Sequence, residues 1–164
     1  MTRVFATLPD PVAEPAFHLA QLNLARLRAP LESPELAAFV AALDPVNALA
    51  EKSPGYVWRL QTEEGNATSI HVFDDEMIIL NMSVWESVEA LSEFTYRSDH
   101  RHIMARRREF FERPVELYLV LWWIPADSVP TPQDGVARLE LLRRTGPSPE
   151  AFTFKSPFPP PASD

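Results

Sequence analysis

The residue with the clearest chemical capacity is His100, which ends the stretch LNMSVWESVEALSEFTYRSDH (Leu80–His100). An imidazole titrates near neutral pH and can move a proton or ligate a metal, so this position is the first acid/base candidate. The plainer role for a histidine at a helix junction is a hydrogen bond to nearby backbone. His102 follows two residues on, and residues two apart on a helix point to different sides, so the HRH triplet is no metal pair. His71 sits beside Asp74 and Asp75, where a solvated turn is the simpler reading, and His18 opens an apolar stretch as a rim residue. Gln21, Asn23, Asn81 and Ser83 offer amides and a hydroxyl that can orient the oxygens of a small molecule. Arg59 and Glu116 bring charges that need a ligand, or each other, if they point into an apolar space. Trp85, Tyr118 and Trp122 can wall such a space with aromatic rings. Arg106, Arg107 and Arg108 span too much of a helical turn for more than one of them to reach it and anchor an anion.

Composition removes several alternatives. Without cysteine, disulfides, thiolate metal sites and Cys nucleophiles are out, and no metal site is expected. The four glycines, Gly55, Gly65, Gly135 and Gly146, lie far apart, so no phosphate-cradling loop can be built. Neither a Gly-x-Ser-x-Gly elbow nor His-Glu-x-x-His occurs. A net charge of −8, from 15 Lys and Arg against 23 Asp and Glu, disfavours nucleic acid as a partner. The one basic run, RHIMARRREFFER, reads first as a solvated helix face. The run ELYLVLWWIP stops at ten residues, short of the ~18–20 that a membrane span needs. Pro9, Pro11 and Pro15 interrupt any signal-peptide core, which points to the cytoplasm.

The elements that must position these residues can be read from periodicity. With 164 residues and 46% hydrophobic content the chain suits one domain. Residues 1–16 form an N-terminal arm, 17–146 the folded domain, and 147–164 (GPSPEAFTFKSPFPPPASD, counted from Gly146) a Pro-rich C-terminal tail, whose Phe152, Phe154 and Phe158 suggest that part of it docks. A strand is predicted at Phe17–Leu27, then a helix capped at Ser33 with Pro34 at its first position and a kink or restart at Pro45. Tyr56–Thr62 and the segment after Asp74–Asp75 pair as a hairpin. Ser87 caps the next helix, a break near RSDH precedes more helix to about Glu112, Val115–Pro125 is the most hydrophobic strand, and DGVARLELLRRTG is a last amphipathic helix. The fold class is α+β: a ferredoxin-like βαββαβ with a four-stranded antiparallel sheet and an extra C-terminal helix.

On this plan Ala20, Leu22 and Leu24, with Leu80, Met82, Val84 and the Leu117, Leu119, Leu121, Trp123 row, form the core under the helices. The opposite face carries Gln21, Asn23, Asn81, Ser83, Trp85, Arg59, Glu116, Tyr118 and Trp122. That face is too apolar for water and too polar for a core, so a homodimer closing a cavity is expected, with a small molecule as its ligand.

The segments HLAQLNLARLRAPLESPELAAFVAALDPVNALAEKSPGYVWRLQ, NMSVWESVEALSEFTYRSDHRHIMARRREFF and ELYLVLWWIP resemble domain of unknown function 3291 over about residues 16–145, a group similar to the dimeric α/β-barrel superfamily. More remotely, Trp85-Glu86-Ser87, an Ala-Leu in the helix and a Ser-x-His at its end resemble the antibiotic-biosynthesis and heme-degrading monooxygenases. That resemblance implies a dimeric α/β barrel and, at matching positions, a catalytic set of Asn23, Trp85 and His100. Two expectations from different classes follow. One is a small-molecule enzyme acting on an aromatic or polycyclic substrate, monooxygenase-like or a cofactor-free isomerase or cyclase, heme being a sub-case with His100 as ligand. The other is a non-catalytic ligand-binding or dimerisation module, since fold does not fix function.

Overall fold

The computed structural model describes residues 15–62, 65–68 and 71–163. The N-terminal arm up to residue 14 lies outside the described residues. Strand β1 (Phe17–Arg26) is followed by a single 3-10 turn (Pro34–Leu36) and helix α1 (Ala37–Lys52). Strands β2 (Tyr56–Arg59) and β3 (Ile78–Trp85) come next, then helices α2 (Val88–Arg97), α3 (His100–Ala105) and α4 (Arg107–Phe110), strand β4 (Leu119–Pro125) and helix α5 (Pro132–Thr145). The four strands form one antiparallel sheet in the order β2-β3-β1-β4.

Local chemistry explains most of the boundaries. Ser87 takes an extended backbone and its hydroxyl accepts the Ala90 N–H at 3.1 Å, which starts α2 where the sequence predicts. Thr131 and Asp134 close a reciprocal capping box around Pro132 at the head of α5. Ser33 does not cap; its hydroxyl donates to the Pro30 carbonyl at 2.6 Å, and Pro34 opens the 3-10 turn instead. Pro45 neither ends nor restarts α1. Pro45 and Ala41, whose carbonyl it leaves without an N–H, both lie on the exposed side, where water can satisfy the freed oxygen.

Strand β4 starts at Leu119 rather than at Val115. Beyond Asn23 the edge of β1 is taken by other backbone: Leu24 N–H donates to Tyr118 O, Glu112 N–H to Arg26 O and Arg28 N–H to Phe110 O. Val115, Glu116 and Leu117 therefore have no strand to pair with, and Val115 is fully exposed.

The register sets the faces. Ala20 pairs with Val84 and Trp122, and Leu22 with Met82 and Val120. Gln21 pairs with Ser83 and Leu121, and Asn23 with Asn81 and Leu119. The two β4 rows thus sit on faces opposite to those expected: Trp122 joins the Ala20 row and Trp123 the Leu19 row. The helices are exchanged as well. Helix α5 covers the all-apolar Ala20 face through Leu139 and Leu142. Its Gly135 approaches so closely that an added Cβ would stand 2.5 Å from Leu22 Cδ1. Helices α1 and α2 lie over the mixed face, where Ala50 and Leu91 cluster with Leu19 and Trp85. Among the described residues both faces of the sheet are thus covered by helices of one chain, so the expectation of a homodimer no longer follows from an open face.

Residues 147–163 complete the packing. Leu121 and Phe152 exchange both backbone hydrogen bonds, at 2.8 and 2.9 Å, along the outer edge of β4. Phe152 is fully buried, and Trp123 Nε1–H donates to Phe158 O at 2.9 Å. The proline-rich composition obscures this, but a chain laid along an edge strand needs few regular N–H donors and removes an edge open to aggregation.

Candidate functional site

Between the mixed face of the sheet and the roof of α1, α2 and α3 lies a cavity of about 230 Å³. Its floor is a hydrogen-bonded amide cluster. Gln21 Nε2–H donates to Asn81 Oδ1 at 2.7 Å and to Ser83 Oγ at 2.8 Å, Asn23 Nδ2–H donates to Gln21 Oε1 at 3.0 Å, and Trp85 Nε1–H donates to Ser83 Oγ at 2.9 Å. Cross-strand pairing of Gln21 with Ser83 and of Asn23 with Asn81 builds it, because directly opposed residues on one face stand side by side. Gln21 is only 3% exposed, so these bonds are what make its burial tolerable.

What the cluster leaves unused matters more for function. Ser83 Oγ already accepts two hydrogen bonds, which leaves its proton to donate. Asn81 Nδ2 and Asn23 Oδ1 have no protein partner among the described residues, and both side chains line the cavity. The floor therefore presents donors beside an acceptor, under apolar walls supplied by Phe39, Leu43 and Val46 of α1.

His100 lines the same cavity from α3. Its Nδ1 faces the Thr95 carbonyl at 3.3 Å; a carbonyl only accepts, so Nδ1 carries the proton and Nε2 keeps a lone pair. Burial lowers its pKa from the ordinary value and the Thr95 carbonyl partly opposes that, so the ring is neutral at pH 7. His100, Asn23 and Trp85 share the cavity but do not touch as a triad. Phe94 lies between the two rings, stacked on Trp85 at 5.1 Å and on His100 at 4.9 Å between centroids.

Other expected site residues divide. Arg59 lines the cavity, pinned by Glu51 at 2.8 Å and by the Gly65 carbonyl at 2.7 Å. Tyr118 lines it too, its hydroxyl accepting from Arg107 NH1 at 2.7 Å. Trp122 does not: it is buried against α5 on the other side of the sheet, placed there by its pairing with Ala20. Glu116 also lies outside the cavity, exposed and 3.3 Å from Arg143, so it does not pair with Arg59. His18 faces the α5 side with its Nδ1 buried and unpartnered among the described residues, and His71 is exposed.

Phe94 and Tyr96 line the cavity and were not singled out by sequence as its components, while Arg107 is the one of the three consecutive arginines that reaches it. A signal existed for Arg107: His100, Ile103, Met104 and Arg107 follow at helical spacing and all four line the cavity, although the helix breaks at Arg106. Burial and the neighbouring Tyr118 hydroxyl raise the Tyr96 phenol pKa, and the Arg107 guanidinium counters them, so Tyr96, Tyr118 and Arg107 form one polar cluster.

A wider cleft of about 590 Å³ runs between Pro157–Pro161 and the start of α2. Prolines, Phe17 and Trp123 line it beside Glu86 and Glu89, with no amide cluster and no histidine, so it offers little chemistry. No group of His, Asp and Glu among the described residues could hold a metal ion. Heme does not fit: about 230 Å³ is below the ~300 Å³ at which sites for drug-sized ligands begin, and the macrocycle is larger than these. No helix among the described residues is long and apolar enough to cross a membrane.

No curated protein matches the chain. Two solved structures are similar to it. PA3566 from Pseudomonas aeruginosa aligns with a TM-score of 0.43 and 12% identity, covering 68% of this chain and 95% of its own. NE2512, a protein of unknown function from Nitrosomonas europaea, aligns with a TM-score of 0.43 and 13% identity, covering 71% and 96%. The family match starts at residue 18 and, unlike the sequence resemblance, includes the Pro-rich segment that borders β4. Residues 18–164 match the domain of unknown function DUF3291, and the chain belongs to that family.

Proposed function

We propose that this chain is a small-molecule enzyme in which the amide floor holds an oxygen of a compact ligand while His100 takes a proton from it. The observation that carries this reading is that one cavity presents both the free Asn81 Nδ2 donors and the neutral imidazole of His100. Proton abstraction beside a carbonyl needs this combination, a base with a lone pair and donors aimed at the developing oxyanion. Isomerisation and ring closure require no more than that; a monooxygenase-like reaction requires dioxygen in addition. The volume favours a single ring over a polycyclic substrate.

The strand order β2-β3-β1-β4 supports a ferredoxin-like plan, the frame on which the monooxygenase-like reading was built. A dimeric barrel is not needed for this cavity, whose walls come from one chain. The second reading, a binding module without catalysis, is favoured by the Phe94 ring that separates His100 from Trp85.

Single-ring phenols and ketones added to labelled protein test the cavity through the Trp85 indole N–H resonance, which should shift together with the Asn81 side-chain amide. Shifts confined to the cleft beside Pro157–Pro161 count against it. For catalysis, exchange of the ketone α-hydrogens in D2O should be accelerated by wild type and not by His100→Phe. Binding without acceleration leaves the module.

A further inference from the structure

Two guanidinium groups line the cavity, with no carboxylate among its described lining residues. Arg59 is neutralised by Glu51. Arg107 is not: among the described residues no acid pairs with it. Of the neighbouring arginines, Arg106 is tied to Glu109 at 2.8 Å and Arg108 is exposed, so Arg107 alone of the three turns inward.

The surroundings of Arg107 are arranged rather than merely vacant. Its guanidinium carbon stands 4.6 Å from the Tyr118 ring centroid and NH1 donates to the Tyr118 hydroxyl, so the plane is fixed by stacking and by one hydrogen bond. A guanidinium has five N–H donors, and four remain. Because the Tyr118 oxygen accepts from Arg107, its own proton points elsewhere. Tyr96 adds a second phenol at the cavity mouth, 53% exposed and held edge-on by Phe154. A half-buried, pre-oriented cation flanked by hydroxyl donors and lacking a counter-ion is a receptor for a planar anion, since a carboxylate accepts two parallel N–H bonds from such a fork.

We infer that the ligand of this cavity is a small carboxylic acid, its carboxylate held by Arg107 and the Tyr118 hydroxyl and its apolar body lying against Leu43, Val46 and Ile103. The inference rests on the cavity reading above and adds the charge and the orientation of the ligand. With its acid group at Arg107, the ligand runs between α1 and the sheet, so its other end meets the Asn81 and Ser83 floor.

The test uses phenylacetate, its methyl ester and phenylacetamide as probes, titrated calorimetrically into the full chain. Wild type should bind the acid at least about tenfold more tightly than either neutral form, the size expected for one charge-assisted hydrogen-bonding site. Arg107→Gln should weaken the acid by ~10–100-fold and leave the neutral forms unchanged. Arg107→Lys, which keeps the charge and loses the fork, should fall between, and Tyr118→Phe should cost less than Arg107→Gln. Thermal melts of each variant show whether the fold is intact. Equal affinity for acid and ester, or equal weakening of both by Arg107→Gln, overturns the anchor while leaving the cavity standing. No binding of any probe by wild type overturns both.

Discussion

The two faces of the sheet are both covered by helices and differ in what lies beneath them. Against α5, Leu22, Met82, Val120 and Trp122 close into a solid layer with Leu139 and Leu142, all of them at most 1% exposed. Under α1 to α3 the same strands present Gln21, Asn23, Asn81 and Ser83 and enclose a cavity. The difference lies in what the overlying helix can approach. Gly135 lets α5 come down onto Leu22, whereas α1 brings Phe39, Leu43 and Val46 over residues that require hydrogen bonds and hold them apart from the sheet. One face holds the molecule together, and the other has room for a ligand.

If that contrast is right, truncation on the solid face costs most. Trp122→Ala should destabilise by ~3–5 kcal/mol in chemical denaturation. Leu43→Ala, which only widens an existing cavity, should cost less than half as much and admit larger ligands; equal losses would erase the distinction between the faces. Next in size is Gly135→Ala, where the new methyl meets Leu22 and overpacking costs ~1–3 kcal/mol, read from the shift in midpoint.

Gln21→Leu tests the floor. It removes one donor each from Asn81 and Ser83, leaving them Asn23 at 3.4 Å and Trp85 at 2.9 Å, and takes the acceptor of Asn23, so a loss of ~1–3 kcal/mol is expected together with a shift of the Trp85 indole N–H resonance. A Gln21→Leu variant as stable as wild type would mean that the cluster is solvated and the cavity wet throughout.

The smallest expected effect is on the pH dependence. His100 has a lowered pKa in the folded state, mainly through burial, so the unfolded chain binds the proton more readily. The stabilisation from a neutral His100 is therefore fully present above its unfolded value near ~6.5 and is lost as pH falls through the lower folded value. His100→Phe should flatten the stability profile below that pH. An unchanged profile would place the titrating group elsewhere. For catalysis the same shift puts the rising limb of the rate profile below ~6.5.

The elements themselves were legible in the chain because their signals are local. Ser87 caps α2 through a bond three residues away, and the alternation along β3 separates Leu80, Met82 and Val84 from Asn81, Ser83 and Trp85 without reference to the rest of the molecule. That alternation was enough to bring Gln21, Asn23, Asn81 and Ser83 together as candidates. Strand β4 was a different problem. Leu119, Val120, Leu121, Trp122 and Trp123 are apolar on both rows, so nothing in the pattern tells which row goes with Gln21, and Trp122 was placed in a site it does not enter.

By itself, then, the sequence determined the four-stranded α+β frame, the Ser87 cap, the amide-bearing rows and the neutral-range histidine, all of which depend on residue type and on neighbours a few positions away. Tertiary structure decided the register of β4, which helices cover which face, the docking of Phe152 on the β4 edge and the inward turn of Arg107. Each of these depends on contacts between residues far apart in the chain, where a one-residue slip reverses a side chain from one face of the sheet to the other.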